Sequence, residues 1–500
     1  MNNIKINYNS KDECLKDGNK NTNSKYKHFK QFIFTCGDLE DLKNHIIKPR
    51  KKFIEFKKSI INPKKELDIF HKETLELFEK YPHYKDSEGL SFRNSLKYLF
   101  LKIKFGIYIR IQDNELKMFV PFNNQNFKNN WSNLINIDNK NWQDYNYKKY
   151  LDIEKKKPKF INFESDKTKW DIDNCVLNTK KNKNYKLINA PSFFSMLIEV
   201  CKNREISDVE FFMNHRDFPL LKKDYTQPYN YLYNSDSIPL EKKYRFKNFL
   251  PITSMSKRDN FMDILLPTPD DWEIVNQSIH YGLCRDQYIN FEQEIEKDWN
   301  KKIPTAIFRG ATTDCGYDEK TSSRYMIHQI SKEWKKNNRY NKENDIDKEQ
   351  FLDIDAGITK IWSDDIKLEN KTINYPKQIE PVKGIEFKNM SKYKYIINID
   401  GSVTAFRLTA ELAYMSVILK VDSEYNIWYS KLLKPWIHYI PIKKDLSDLA
   451  EKITWCKMND SQACKIAQNA NEFYIKYINK EFVMDYIQDT LNIMAQKSYE

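Results

Sequence analysis

Hydrophobic and polar positions along this 500-residue chain predict helices first and then a mixture of strands and helices. Between residues 38 and 105, apolar side chains recur at three- and four-residue spacing, which indicates amphipathic helix. Residues 106–112 and 115–122 instead alternate apolar and polar side chains on either side of Asp113 and Asn114. Alternation around a short Asp-Asn turn predicts a β-hairpin.

The rest of the chain predicts strands that alternate with helices. Short apolar runs typical of buried strands lie at 208–213, 249–255, 305–308, 395–399, 417–421 and 439–442. Helical patterns lie at 191–200, where Ser192 is a cap signal, at 319–336, at 403–415, and from 446 onward. Strands separated by helices of this length favour a parallel sheet with helices on both faces, and therefore the α/β class.

The pattern divides the chain into four regions. They are an N-terminal helical extension at 1–100, an N-terminal lobe at 101–280, a C-terminal lobe at 281–475, and a C-terminal helix at 476–500 that packs back toward the N-terminal lobe.

Composition fits a globular protein with modest basic charge. Hydrophobic residues are 40% and aromatics 14%, while Lys plus Arg number 83 against 70 for Asp plus Glu, a balance of +13. That excess permits attraction to anionic ligands such as nucleotides, although Lys-rich solvated faces explain most of it. Nucleic-acid binding is a weaker interpretation, because no recognised module or concentrated basic patch is present.

Targeting and cysteine patterns predict a reducing compartment. The N-terminus lacks an apolar stretch of signal-peptide length, and no window is long and apolar enough for a membrane span. The eight cysteines are scattered and form no CxxC pair, so they indicate neither a zinc site nor a disulfide framework. We therefore expect a cytoplasmic protein, in the host cytoplasm or virion if it is viral, with no metal site.

The segment from Tyr393 to Arg407 is the strongest candidate for ligand binding. A predicted strand runs into the small residues Asp400, Gly401 and Ser402, and a predicted helix follows at once. Small residues allow close approach to a ligand, and the first amides of a helix favour a phosphate. Arg407 would lie one turn into that helix and could grip diphosphate oxygens. The alternative is an ordinary turn with Arg407 in a surface ion pair.

Two further segments follow strands. Arg309, with Gly310 and Thr312, stands at the carboxyl end of a strand, where open α/β sheets bind ligands. Asp217 follows the 208–213 strand and lies two residues before a proline, so that its carboxylate could serve as a general base in a cleft between lobes. The alternative for Asp217 is an ion pair with the preceding arginine or a turn cap.

Together these segments resemble the protein O-glucosyltransferase family, glycosyltransferase family 90, over about residues 205–490. The most specific match is Lys434-Pro-Trp-Ile-His-Tyr-Ile-Pro441. The other matching segments, in the family's order and approximate spacing, are 216–219, 254–257 with Asp263, 308–310, 355–360, 392–395, 406–407 and 444–446.

The resemblance implies a GT-B fold of two facing Rossmann-like lobes and an inverting UDP-sugar transferase. It implies that Asp217 is the catalytic base and that Arg309 and Arg407 neutralise the diphosphate together with amides of residues 401–405, so that no metal or other cofactor is required. The implied donor-binding residues are Arg309, Gly310, Ala311, Thr312, Asp355, Gly401, Ser402, Val403, Thr404, Ala405, Phe406, Arg407 and Glu424. The implied substrate-pocket residues are Arg216, Ser254, Ser256, Lys257 and Asp263.

The expected activity moves a hexose or pentose, glucose or xylose first, from a UDP-sugar to a hydroxyl of a protein or glycan. The alternative is an inactive nucleotide- or glycan-binding protein of the same fold. Three departures stand out: Ser391 and Tyr414 occupy places where lumenal relatives carry paired cysteines, and Ile427 replaces a usual acidic residue. Glu424 is retained and is implied to meet the ribose. The Asn-, Lys- and Ile-rich composition resembles that of giant-virus genes.

Overall fold

The computed structural model shows an α/β protein with two five-stranded sheets. It describes residues 64–80, 90–103, 105–123, 169–171, 176–178, 185–186, 189–228, 238–276, 288, 291–313, 321–343, 353–361 and 379–499. Residues 1–63 of the predicted helical extension lie outside these ranges.

The first half contains α1 to α4 and β1 to β8. The helices are α1 (Lys64–Lys80), α2 (Leu90–Lys97, extended by a π-helical turn at Tyr98–Ile103), α3 (Ala190–Asn203) and α4 (Pro269–Asn276). The strands are β1 (Phe105–Gln112), β2 (Glu115–Asn123), β3 (Lys169–Asp171), β4 (Val176–Asn178), β5 (Tyr185–Lys186), β6 (Val209–Met213), β7 (Ile252–Ser254) and β8 (Ile264–Leu265).

The second half contains α5 to α11 and β9 to β13. The helices are α5 (Phe291–Glu294), α6 (Ser323–Glu343), α7 (Phe387–Met390), α8 (Leu408–Leu412), α9 (Leu449–Met458), α10 (Asp460–Tyr477) and α11 (Lys480–Tyr499). The strands are β9 (Ile303–Ala311), β10 (Ile354–Lys360), β11 (Tyr393–Asn398), β12 (Val417–Val421) and β13 (Ile440–Ile442).

The two large sheets differ in strand direction. The second sheet has the order β10-β9-β11-β12-β13 and every pair is parallel, as predicted. Tyr395, Ile396 and Ile397 of β11 are all buried, which is expected where helices cover both faces of a parallel sheet. The first sheet has the order β2-β1-β6-β7-β8, and only β6, β7 and β8 run parallel. Both sheets are consistent with Rossmann-like lobes.

The predicted hairpin is confirmed, and it extends the first sheet through β1. Asp113 and Asn114 have φ angles of 55° and 58°. Asp and Asn tolerate this left-handed region, and two such residues in a row make the tight turn whose twist matches paired strands.

The start of α3 corrects one prediction. The sequence favoured Ser192 as the cap, but the helix begins at Ala190. The Ser192 hydroxyl instead donates a 2.8 Å hydrogen bond to Glu273 of α4. A serine near a helix start therefore serves a tertiary contact between α3 and α4.

The C-terminal helix α11 packs on the first lobe. Arg204, at the end of α3, pairs with Glu481 and Asp485 of α11, each at 2.7 Å. The Tyr486 hydroxyl donates to the Leu265 carbonyl at 2.8 Å. These contacts attach the last helix of the chain to β8 and α3.

A buried carboxylate on α4 ties the lobes together. Asp271 accepts hydrogen bonds from the Thr409 hydroxyl at 2.5 Å and from the Trp428 indole at 2.9 Å, both in the second lobe. It also accepts from the Thr268 amide, and Thr268 accepts from the Asp271 amide, which is a reciprocal cap at the start of α4. Burial raises the pKa of Asp271, and the hydrogen bonds from Thr409, Thr268 and Trp428 oppose that shift. One side chain thus caps a helix and joins two lobes.

Lys302 joins three segments of the second lobe. Its ammonium group is buried and donates to the carbonyls of Glu296 at 2.5 Å, of Tyr414 at 2.8 Å, and of Ser391. Burial lowers the pKa of Lys302 to about 8. The two positions that replace the relatives' cysteines are therefore bridged by one lysine.

None of the described helices is long and apolar enough to cross a lipid bilayer.

We expect Lys302→Met to lower the free energy of unfolding by about 2–4 kcal/mol, because three carbonyl oxygens lose a charged donor while the aliphatic length is kept. Urea denaturation measures this. The control is Lys301→Met, since Lys301 is 70% exposed and pairs only with Asp298 on the surface. Equal midpoints for the two variants would contradict a structural role for Lys302.

Candidate functional site

The predicted ligand-binding segments meet at one edge of the second sheet. Strands β9 and β11 are parallel neighbours, so residues 311–313 and 399–402 leave the sheet at the same, carboxyl edge. The Ser402 hydroxyl donates to the Thr313 carbonyl at 2.5 Å, which fixes these two loops against each other. The residues at or next to this edge are Phe308, Thr313, Arg324, Asp400, Gly401, Ser402, Arg407 and Glu411.

The predicted helix over 403–415 is wrong in its start and length. Residues 401–407 form bends and turns, and α8 comprises only residues 408–412. Arg407 is the residue before α8 instead of lying one turn inside it. Asp400 explains part of this difference, because its carboxylate accepts hydrogen bonds from the Ser423 hydroxyl and from the Ala405 amide. Burial raises the pKa of this carboxyl, and the two donors oppose the rise. One of the amides expected to face a phosphate is therefore already bonded within the turn.

Among the other turn residues, exposure is uneven. Gly401, Ser402, Phe406 and Arg407 are half-buried, whereas residues 403–405 are buried. A ligand at this turn could therefore reach residues 401–402 and 406–407 more readily than residues 403–405.

Arg407 is held over β9 with part of its donor capacity unused. Its Nη1 donates to the Arg309 carbonyl at 2.8 Å, and its guanidinium carbon lies 5.1 Å from the centre of the Phe308 ring. Nε lies 2.9 Å from a Glu411 oxygen. Within the described residues, Nη2 is buried without a hydrogen-bond partner. A buried unsatisfied donor costs about 1–3 kcal/mol, which an acceptor placed there would offset.

Glu411 supplies the counter-charge for this group. Its side chain is 1% exposed, and one carboxylate oxygen accepts from the Asn398 amide at 2.6 Å. Burial raises the pKa of Glu411, while Arg407, Asn398 and Arg324 oppose that rise. Arg407 therefore forms an ion pair, as the alternative interpretation of the sequence expected, but the pair is buried and not on the surface.

Arg309 and Asp355 are paired with each other. Arg309 Nη2 lies 2.6 Å from the Asp355 carboxylate, and Nη1 donates to the carbonyls of Asp355 and Phe308 at 2.6 and 2.9 Å. Lys335 contacts the other Asp355 oxygen at 2.8 Å. These cations lower the pKa of Asp355 although burial opposes them. This arrangement joins β9 to β10. Gly310 and Ala311 continue β9, and the Thr312 amide donates to the Lys360 carbonyl at 3.0 Å.

Arg324 is a site residue that the sequence interpretation missed. It is 6% exposed in the first turn of α6, and its Nε donates to the Asp400 carbonyl at 2.8 Å. The available signal was Ser322, which caps α6 by accepting from the Tyr325 amide at 3.1 Å. That signal locates a helix start, but the partners of Arg324 lie 11 to 76 residues away in sequence.

In the first lobe, Asp217 lies in the 214–221 loop that follows β6. Its side chain is exposed, and its carbonyl accepts from the Ser256 hydroxyl at 2.9 Å. Arg216 is half-buried beside it, and its amide donates to Asn214 Oδ1 at 2.8 Å, an Asx turn that bends the chain directly after the strand.

Asp263 and Ser254 hold this loop from beneath. The fully buried Asp263 carboxylate accepts from the amides of Leu220 and Leu221 at 2.7 and 2.9 Å and from the Ser254 hydroxyl at 2.6 Å. Asn214, the second residue missed from sequence, donates to Ser254 at 3.0 Å. Burial raises the pKa of Asp263, and these donors oppose the shift. Asp263 and Ser254, both predicted as pocket residues, therefore support the loop that presents Asp217.

Lys257 and Glu424 lie where the lobes touch. Lys257 and Asn426 exchange two backbone hydrogen bonds, of 3.0 and 2.7 Å, which form an isolated antiparallel bridge. Next to it, Arg258 of the first lobe forms an ion pair with Glu424 of the second. Both segments follow carboxyl ends of strands, β7 and β12. The bridge therefore connects the carboxyl edges of the two sheets, and the Ser256 hydroxyl links it to the Asp217 carbonyl.

Comparison with known sequences identifies the family of this chain. Residues 185–497 match the sequence profile of glycosyl transferase family 90, and the chain belongs to that family. It is 33% identical to Uncharacterized protein 035R of Invertebrate iridescent virus 3, over 95% of this chain and 43% of that protein. It is 29% identical to Protein O-glucosyltransferase 2 of Danio rerio, over 58% of this chain and 48% of that protein. Protein O-glucosyltransferase 3 of Homo sapiens is also 29% identical, over 55% of this chain and 44% of that protein.

The family resemblance predicted from sequence is therefore confirmed, and the chain has viral homologues. It spans less than half the length of each of these curated relatives. Within the described residues, no group of three or more His, Cys, Asp or Glu side chains is placed to hold a metal ion.

We expect Glu411→Gln to destabilise the fold by about 3–5 kcal/mol, because the substitution leaves the buried Arg407 guanidinium without its counter-charge. Chemical denaturation measures the change. The matched control is Glu451→Gln, whose carboxylate is 73% exposed and pairs with Lys452 on the surface, and which should leave the midpoint unchanged. A Glu411→Gln midpoint equal to that of the control would show that the pair carries no stability.

Proposed function

We propose that this protein is an inverting glycosyltransferase that moves glucose or xylose from a UDP-sugar to a hydroxyl group of a protein or glycan. Two relatives are protein O-glucosyltransferases by name, which supports a sugar donor and a protein acceptor. The two sheets, with their carboxyl edges connected across the bridge at Lys257 and Asn426, suit a GT-B arrangement in which the donor lies between the lobes.

The observation that carries the proposal is the Arg407 guanidinium. Its Nη2 is buried without a hydrogen-bond partner within the described residues, at the sheet edge where α/β proteins bind nucleotides. A diphosphate oxygen is a strong acceptor for such a group. A small opening of the turn at residues 401 and 402 would allow the diphosphate to reach the Arg407 guanidinium.

In the proposed reaction, Asp217 takes the proton of the acceptor hydroxyl. The acceptor oxygen forms a bond to the anomeric carbon from the face opposite UDP, and the bond from that carbon to the diphosphate oxygen breaks. UDP leaves with the bonding electron pair, and Arg407 stabilises the negative charge that develops on it. Arg309 contributes to the positive potential at the same edge. The proposal requires no metal, because the guanidinium groups fulfil the electrostatic role.

We expect Asp217→Asn to lower the transfer rate by about 100- to 10,000-fold, the usual contribution of a general base, while UDP binds with unchanged affinity. UDP release from UDP-glucose and UDP-xylose measures turnover, and calorimetry measures UDP binding. Asp224→Asn is the control, because Asp224 is an exposed carboxylate in the same lobe whose hydrogen bonds, among the described residues, go to Thr226 in its own turn. Full activity of Asp217→Asn would exclude it as the base.

We expect Arg407→Lys to weaken UDP binding about tenfold or more and to lower turnover, because an ammonium group cannot reproduce the guanidinium fork. The same calorimetric titration measures the dissociation constant. Equal loss of UDP affinity in Asp217→Asn and Arg407→Lys would contradict the division of roles between the lobes. A folded wild-type protein that neither binds UDP nor turns over any common UDP-sugar would overturn the proposal as a whole.

A further inference from the structure

Arg324 spans the gap between the ends of two neighbouring strands. On the β9 side, its Nη1 donates to the Ala311 carbonyl and to the Thr313 hydroxyl, both at 2.9 Å. On the β11 side, its Nε donates to the Asp400 carbonyl at 2.8 Å and its Nη2 to the Ile399 carbonyl at 3.1 Å. One planar guanidinium group therefore fixes the separation of the two strand ends.

Two glycines leave room for this group. A Cβ atom at Gly310 would lie 3.3 Å from Arg324 Nη1 and 2.8 Å from the Phe308 ring, and one at Gly401 would lie 3.2 Å from Arg324 Nη2. The sequence favoured close approach of a ligand as the reason for small residues at these positions. The structure supplies a different reason, because the space beside both glycines is already filled by the arginine.

The position of Arg407 depends on the same separation. Arg407 follows β11, but the carbonyl that accepts its hydrogen bond belongs to Arg309 in β9. Both guanidinium carbons, of Arg324 and Arg407, lie near the Phe308 ring of β9, at 5.9 and 5.1 Å from its centre. A change in the distance between the strand ends would therefore move Arg407 relative to its acceptor and to the 400–402 turn.

We propose that Arg324 is a positioning residue for the sugar-nucleotide donor: it holds the ends of β9 and β11 so that Arg407 and the 400–402 turn face the diphosphate together. The inference deepens the proposed function and rests on it. Arg324 acts through Arg407 and the turn without touching the reacting atoms, so its loss alters donor binding and leaves the acceptor side, which belongs to the 214–221 loop, unaffected.

The test compares Arg324→Gln and Arg324→Lys with a matched control in the full-length chain. We expect Arg324→Gln to raise the KM for UDP-sugar and the Kd for UDP about tenfold or more, since misplacement by about 1 Å can cost on the order of 100-fold in rate. Arg324→Lys keeps the charge but not the fork, so it should restore only part of the affinity. The KM for the acceptor should stay within about twofold in both variants.

The control is Arg204→Gln. Arg204 is also a forked, mostly buried arginine, but it joins α3 to α11 on the first lobe. We expect it to lower Tm without changing the KM for UDP-sugar. If Arg324→Gln and Arg204→Gln both lower Tm and both leave UDP affinity unchanged, Arg324 has a structural role only and the inference is overturned.

A second variant covers failure of Arg324→Gln to fold. Gly401→Ala crowds Arg324 Nη2 from the turn side by a few tenths of an ångström and should raise the Kd for UDP in the same direction. Unchanged UDP affinity in Gly401→Ala would also overturn the inference. Absence of UDP binding by the wild-type protein is a separate outcome, because it overturns the proposed function, whereas wild-type binding with unaffected variants overturns the role of Arg324 alone.

Discussion

The burial of two arginines and one glutamate beside a single aromatic ring constrains the second lobe more than any other interaction described here. Phe308 lies under both guanidinium groups, and Glu411 offsets their charge. Charged groups removed from water are tolerated only when counter-charges and hydrogen bonds replace the lost hydration. The strand ends, the turn after β11 and the first turn of α6 must therefore adopt one mutual arrangement, because any other leaves a buried charge unpaired.

The relation of the two lobes follows from a similar constraint on Asp271. Its carboxylate is buried between the lobes and needs donors from both, which Thr268, Thr409 and Trp428 provide. The backbone bridge between Lys257 and Asn426 is a second, more exposed connection at the edge where ligands would enter. A buried contact and a more exposed one together hold the two lobes to each other.

Local patterns predicted the elements better than they predicted the site. The hairpin at Asp113 and Asn114 and the parallel strands of the second sheet depend on alternation, apolar runs and turn residues that lie close together in sequence. The predicted helix over 403–415 was wrong in its start and length, and part of the reason is that the Asp400 carboxylate binds the Ala405 amide within a turn.

Arg324 illustrates why the rest of the site could not be predicted. Its four acceptors come from two other segments, 11 to 76 residues distant in sequence. Hydrophobic periodicity describes neighbouring residues and therefore cannot predict contacts between such segments. The role of Asp263 was also hidden, because a buried carboxylate that collects backbone amides has the same sequence signature as one that faces a substrate. Lys302 connects two segments of the second lobe without thiol chemistry. Where the resemblance implies paired cysteines in lumenal relatives, this chain uses an ammonium group that binds the carbonyls of Ser391 and Tyr414. That connection forms as soon as the chain folds, needs no oxidant or isomerase, and holds equally well whatever the thiol–disulfide balance of its surroundings.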